Sequence, residues 1–384
     1  TATPGYWESI SFYGSESSPN VGSRFRYLTV EYGGNYYGNF YLYYAAVRAR
    51  DCLFRHSAGD GIYGDYGGVV HLTDVEFTDN AGYAVQFRDG SVNPNLARVS
   101  AASNGENAIA VGYGHLQGKH TWENCGIPYV LTSDINIDED GHLYVRPGTT
   151  VRVDPGVAIN AYGRLIATGT EADPIAFTGS QATPGSWQGI SVIGMPGTFN
   201  AGSVLKYVTV EYGGGYYANV YIDQAQVAIS NSIIRHSSSD GVYLYYAGIA
   251  STVERSKIVS NAGHGIQNEN AVDPANVLLA ANNWWGDATG PQHPTLNPGG
   301  SGQEVSDGVA FMPFLTSPAE DPGPVAPSDA RILSIKPKRW FASADGVSRI
   351  WATLTLRDGM GTPLPGRTVN LHSTLGTVTA GGIT

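Results

Sequence analysis

VEYGGNYYGNFYLYY, residues 30–44, returns 180 residues later as VEYGGGYYANVYIDQ, residues 210–224. Between Tyr27–Asn39 and Tyr207–Asn219, ten of thirteen residues are identical. Two further passages keep the same offset. ATPGYWESISFYG (2–14) matches ATPGSWQGISVIG (182–194), and FRHSAGDGIY (54–63) matches IRHSSSDGVY (234–243). DNAGYAVQ (79–86) matches SNAGHGIQ (260–267), offset by 181 after one insertion. The chain reads as nearly two copies of a 180-residue unit, the first entered late, as expected of a piece of a longer precursor.

A shorter beat runs inside each copy. Val30, Phe54, Phe77 and Ala101 lie 24, 23 and 24 residues apart, and Ile62, Val85 and Ile109 keep step at 23 and 24. Val210, Ile234 and Ile258 are each 24 apart. Such a beat marks a solenoid, in which one repeat cannot bury its apolar face alone and stacks on the next. Each beat holds short alternating runs (YLTVEY, VEFT, YAVQF, VYIDQ) divided by Gly, Asn, Asp and Ser, with no helical period between them. Coils of 23–24 residues built from strands alone predict an all-β fold, a right-handed parallel β-helix. At roughly 4.8 Å per stacked strand, some thirteen coils would reach about 60 Å.

Composition agrees. Gly is 50 residues, Tyr 24 and Pro 21 of 384, and charged residues are only 14%, so turn and strand formers dominate. No run approaches the roughly 18 apolar residues of a membrane helix, so no membrane span is expected. Net charge is −11, which argues against nucleic acid as a partner, because backbone phosphates need a cationic footprint. Residues 328–384 hold seven Lys/Arg against three Asp, a balance of +4, which leaves −15 on residues 1–327. Cys52 and Cys125, 73 residues apart, exclude a disulfide framework and read as buried free thiols.

YVLTSDINIDEDGHLYVRPGTTVRV (129–153), GRLIATGTEADPIAFTGS (163–180) and GSWQGISV (185–192) resemble the repeat of bacterial secreted and surface β-helix proteins of the pectin-lyase-like superfamily. NNWWGDATGP (282–291) and the residues after it, to Leu315, resemble the segment that closes those helices. The expected organisation is a β-helix over 1–315 (copy one 1–181, copy two 182–315, closing segment 282–315) and a Pro-rich linker over 316–328. Residues 329–384 resemble a bacterial Ig-like domain of the invasin and intimin type. Only about 56 residues are present where such a sandwich needs nearer 100, so that domain is expected to be incomplete here.

The resemblance implies lyase or hydrolase chemistry in some members, with carboxylate-held calcium and an Arg or Lys base, or three neighbouring Asp. Hydrolysis needs paired carboxylates a few ångströms apart, and neither an NTD motif nor a DD pair occurs. Gly263–His264–Gly265 copies one polygalacturonase element without its partners, and Tyr83 stands at the matching place in copy one. The best polar constellation is Arg235, His236 and Asp240, with Arg55, His56 and Asp60 as its twin. An Arg, a His and an Asp near one turn can bind an acidic sugar or move a proton. A trio kept at one coil phase in both copies also fits a hydrogen-bonded corner. Asn80 and Asn261 read as inward amides bonding backbone across coils. Asn136, Asp138, Asp140 and Gly141 mimic the start of a calcium loop, but Pro147 stands where a Glu is needed. A surface Ca2+ on Asp138, Glu139 and Asp140 is the alternative to a solvated turn.

Tyr41 and Tyr43 share one strand face and Phe40, Leu42 and Tyr44 the other. If Phe40 and Leu42 point inward, Tyr41 and Tyr43 lie outside, where rings can stack on sugars. Copy two has Tyr221 and Asp223 at those places, so the outer pair reads as unrepeated. Tyr36, Tyr37, Tyr216 and Tyr217 follow Gly-Gly turns, either capping a coil corner or forming a glycan platform. The expectation is a non-catalytic extracellular or cell-surface protein, structural or adhesive. Its expected partners are itself, head to tail, or a surface polysaccharide. The alternative is a polysaccharide lyase or glycosidase acting on an acidic polysaccharide.

Overall fold

The structure, a computed structural model, describes residues 2–195, 200–246, 251–269, 271, 277–318, 330–337 and 352–358. The chain divides into two units, Thr1–Glu320 and Asp321–Thr384. In the second unit Ala330–Pro337 pairs antiparallel with Ala352–Asp358. Most of the expected linker, and the rest of the expected Ig-like domain, lie outside the described residues.

The first unit is an all-β parallel solenoid of about ten turns, with no helix among the described residues. Its longest sheet has 11 strands, flanked by sheets of seven, eight and five. The 24-residue beat is the strand register. Val30 pairs with Phe54, Phe54 with Phe77 and Phe77 with Ala101. Ile62 pairs with Val85 and Val85 with Ile109, and Val210 pairs with Ile234 and Ile234 with Ile258. Identical phases therefore stack, and alternation sends every second side chain inward. Phe40, Ile62, Val85, Ile109, Val151 and Phe177 stand in one inward column of the long sheet, all fully buried. Each such side chain contributes roughly 1.5–3 kcal/mol of burial.

The thirteen coils expected from length are too many. Successive turns of the long sheet take 20 residues from Ile109 to Tyr129 but 33 from Phe177 to Val210. The closing segment adds only the short strand Val309–Ala310. Ten inter-strand steps span about 48 Å.

Corners are made by left-handed residues in register. Tyr32, His56, Asp79 and Ser103 have φ of 65, 52, 56 and 56°, and Tyr212, His236 and Ser260 have 64, 55 and 58°. A non-glycine residue there costs about 1–2 kcal/mol, and Asp and His tolerate it better than most. Gly34 and Gly214 sit just after, at φ +82 and +84°, where an added Cβ would collide with Ser57 Oγ or Ser237 Oγ. That is why both Gly-Gly turns must be glycine.

Inside the corners run the expected asparagine ladders. Asn39 Oδ1 accepts Gly33 N–H at 2.9 Å, and its Nδ2 donates to Arg55 O at 3.0 Å. Asn80 Nδ2 donates to Phe54 O at 3.1 Å and to Asn104 Oδ1 at 2.8 Å. Asn219 and Asn261 repeat the pattern on Gly213, Arg235 O and Ile234 O. The second ladder ends on the closing segment, where Gln303 Oε1 accepts Asn261 N–H at 2.9 Å and its Nε2 donates to Gly263 O at 2.7 Å. Trp285 and Phe311 of that segment are buried over the last turn. Cys52 and Cys125 are free and buried, as expected.

One feature was invisible in the repeat. Gly38–Tyr43 and Asp60–Asp65 belong to the 11-stranded sheet, whereas their counterparts Ala218–Asp223 and Asp240–Leu244 belong to the seven-stranded sheet. Thr29–Glu31 lies in the five-stranded sheet, and its counterpart within Val208–Glu211 lies in the long one. The register slips by one face at the 20-residue turn after Ile109, where Glu106–Val111 stacks on Tyr129–Leu131.

Candidate functional site

Two tyrosine walls stand out on the solenoid surface. Phe40 and Leu42 point inward, so Tyr41 faces out, as alternation requires. Tyr41 is nevertheless only 5% exposed, which corrects its expected role as an open platform. Its ring is covered by Tyr37, stacked at 5.2 Å and 20°, and lies 6.1 Å from Tyr63 at 24°. Tyr37 also stacks on Tyr63 at 4.5 Å and 14°, and Tyr36 leans against Tyr37 at 4.3 Å and 59°. Tyr43 is half-buried and packs edge-on against Tyr44.

The wall is built twice, correcting the expectation that the outer pair is unrepeated. Tyr217 stacks on Tyr221 at 5.1 Å and 20° and on Tyr243 at 5.1 Å and 25°. Tyr216 meets Tyr217 at 4.2 Å and 66°. The repeated partner of Tyr41 is its cross-strand neighbour Tyr63, and Tyr221 likewise registers with Tyr243. Ser11 and Gln86 bracket the first pair in register, and Ser191 and Gln267 the second. Tyr63 and Tyr243 were missed because each lies in a different run from its partner, although both fall 22 residues on, one coil beat away. The residues left exposed are Tyr36 and Tyr37 (50% and 40%) and Tyr216 and Tyr217 (62% and 40%).

Burial, and then nearby carboxylates, hold the covered phenols protonated. Burial, then Asp65, pushes Tyr63 up to about 12. Burial, then the Glu269 hydrogen bond, pushes Tyr243 up to about 12. The same causes, with Asp65 and Asp223, raise Tyr41 and Tyr221 well above the ordinary phenol range. Both walls are therefore neutral, with hydroxyl donors.

Their flanks differ. Beside the first wall Asp65 pairs with Arg88 at 3.3 Å, and Arg88 lies 5.4 Å over the Tyr66 ring. Beside the second stand Asp223, whose carboxyl burial pushes up, and Glu269, which accepts the Tyr243 hydroxyl at 3.1 Å. Glu269 occupies the sequence place of Arg88.

The Arg-His-Asp trio is distributed around a corner. Arg235 Nε donates to Glu211 Oε2 at 2.6 Å in the long sheet, and His236 stacks on Tyr212 at 5.3 Å and 11°. Asp240 begins a strand of the seven-stranded sheet, where its Oδ1 accepts His264 N–H at 2.6 Å. The twin repeats this: Arg55 to Glu31 at 2.6 Å, Tyr32 on His56 at 5.0 Å, and Tyr83 N–H to Asp60 at 2.7 Å. Asp60 and Asp240 diverge in their neighbours. Burial pushes the Asp60 carboxyl up to about 7, only partly offset by the Tyr83 amide. Asp240 faces His264 Nδ1 at 3.5 Å, and His264 Nε2 lies 3.6 Å from Glu304 of the closing segment.

Asp138 hydrogen-bonds His115 Nδ1 at 2.7 Å and Gln117 Nε2 at 3.1 Å, which holds its carboxyl below the usual range. Tyr113 hydroxyl meets the other His115 nitrogen at 2.5 Å. Asp138, Glu139 and Asp140 form no group of three able to hold a metal, nor does any other set among the described residues.

Comparison with known proteins adds a family at this point. The family model for the pectate-lyase like beta helix domain matches residues 114–253, so the solenoid carries a pectate-lyase-like β-helix domain. Protein bark beetle of Drosophila melanogaster is 44% identical over 50 residues, which is 13% of this chain. The chain spans 2% of the length of that curated relative. No solved structure matches the chain.

Proposed function

We propose that this protein is a non-catalytic, extracellular or cell-surface adhesive solenoid that binds glycans through its tyrosine walls. The observation that carries the reading is the rebuilding of one stacked tyrosine arrangement at two places, each with two exposed rings at its rim. Tyrosine combines an apolar face with a hydroxyl at low conformational cost, and the axial C–H face of a pyranose is the complementary surface. The covered rings fix the rim rings in place, as a preorganised contact surface requires. The pectate-lyase-like match supports a polysaccharide-related role and the extracellular setting common to such domains.

The finer architecture belongs to the same proposal: a bacterial surface protein with an NWWGD-type closing segment and an Ig-like spacer, able to assemble end to end. Affinity electrophoresis of the full chain through gels containing soluble polysaccharides tests the reading. Retardation by at least one polysaccharide, lost in a Tyr36→Ala/Tyr216→Ala double variant of unchanged thermal midpoint, is the expected outcome. Migration unchanged in every gel would remove it. The competing lyase reading is favoured by the family match. It predicts new reducing ends from polygalacturonate, abolished by Asp240→Asn.

A further inference from the structure

The two walls share their stacks and differ in orientation and in charge. The first lies on the 11-stranded sheet and the second on the seven-stranded sheet. Seven strand steps separate them along the axis, from Gly38–Tyr43 to the turn that begins at Val208–Glu211, or about 34 Å. A sugar chain following one sheet therefore meets one wall only. Charge narrows the ligand. The first wall is flanked by the mutually neutralised pair Asp65 and Arg88, 3.3 Å apart. The second is flanked by Asp223 and Glu269, with Glu269 on the Tyr243 hydroxyl at 3.1 Å. Neither wall offers a cation free to pair with a uronate, since the Arg88 guanidinium is held by Asp65. A polyanion approaching a chain of net charge −11 is also repelled at long range.

We infer that the protein has two separate glycan sites, on different faces, each taking uncharged pyranose chains, the second also favouring amino-bearing sugars, with polyuronates rejected by both. This rests on the glycan-binding reading and specifies its ligand class and valency. Two sites facing apart hold two chains at once, so the protein cross-links a glycan.

Isothermal titration of the full chain with cellohexaose, laminarihexaose, N-acetylchitohexaose, the glucosamine hexamer and hexagalacturonate tests it. Two equivalents of at least one uncharged hexamer are expected, falling to one in Tyr36→Ala and to the other one in Tyr216→Ala. These two exposed rings are chosen because neither substitution opens the core. The glucosamine hexamer should bind one site at least tenfold tighter than its N-acetylated form at pH 6, and Glu269→Gln should erase that preference. Hexagalacturonate should bind at least tenfold more weakly than the best uncharged hexamer. A single equivalent, or hexagalacturonate binding as well as the rest, overturns the inference and leaves glycan binding standing. No heat with any hexamer, combined with unretarded migration in every polysaccharide gel, removes the underlying reading as well.

Discussion

The first wall and the second are the same object in two settings. Four tyrosines take nearly the same stacking distances in each, yet Tyr13, Tyr43 and Arg88 around the first become Ile193, Asp223 and Glu269 around the second. What stays constant is the part whose members cover one another. What changes is the rim, where a substitution leaves no cavity. The comparison separates the residues that hold the surface together from those that decide what it meets.

Removing the central ring is the harshest way to break that equivalence. Tyr41→Ala should cost about 3 kcal/mol, because the ring is nearly covered, and Tyr221→Ala about 2 kcal/mol, because it is only half-buried. Urea unfolding monitored by tyrosine fluorescence checks both. A larger loss at Tyr221 would mean that the second wall is not a copy of the first in energetic terms.

The buried aspartates sharpen the contrast next. Burial raises the Asp60 carboxyl from its ordinary value near 3.8 to about 7. Between those values the folded state binds the extra proton, so this group's contribution falls as pH rises through the window and is fully lost above it. Asp60→Asn keeps an acceptor for the Tyr83 amide and should therefore stabilise the protein at pH 8, by about 2 kcal/mol, with no gain at pH 3.5. Asp240→Asn should give no such gain, because it removes a carboxylate facing His264. Thermal melts of both variants at the two pH values decide this, and a gain at pH 8 from Asp240→Asn would erase the distinction.

The smallest effect lies at His264, whose pKa is raised chiefly by the Asp240 hydrogen bond. Its stabilising contribution is full below about 6.5 and fades as pH rises through the raised value. Because Glu304 sits on its other nitrogen, hydrogen exchange of Glu304 and Val305 amides should quicken between pH 6 and 8. His264→Gln should flatten that change, and Tyr83, its counterpart, should show none.

Much of this was legible in the chain. The 24-residue beat is the strand register itself, since stacked coils must place equal phases above one another. Asn80 and Asn261 were legible as ladder members because a buried amide needs backbone partners on both sides. The walls were read only in part. Tyr36, Tyr37, Tyr216 and Tyr217 announced themselves after the Gly-Gly turns, but Tyr63 and Tyr243 touch them only across a coil, and pairing across coils is visible only through the beat. The Arg-His-Asp trio looked like chemistry because its members are close in sequence. In space the corner parts them, and His56 and His236 are the left-handed bends that make it. The change of face was not legible, because a three-residue shortening of one turn alters no local pattern.

That shortened turn carries a consequence for growth. Each 180-residue unit contains one slip, so each unit added would advance its wall by one side of a three-sided prism. Successive walls would then wind about the axis as a screw thread does, and a fourth unit would bring the first orientation back. Lengthening such a protein by whole units would change the directions in which it grips, and not only how far it reaches.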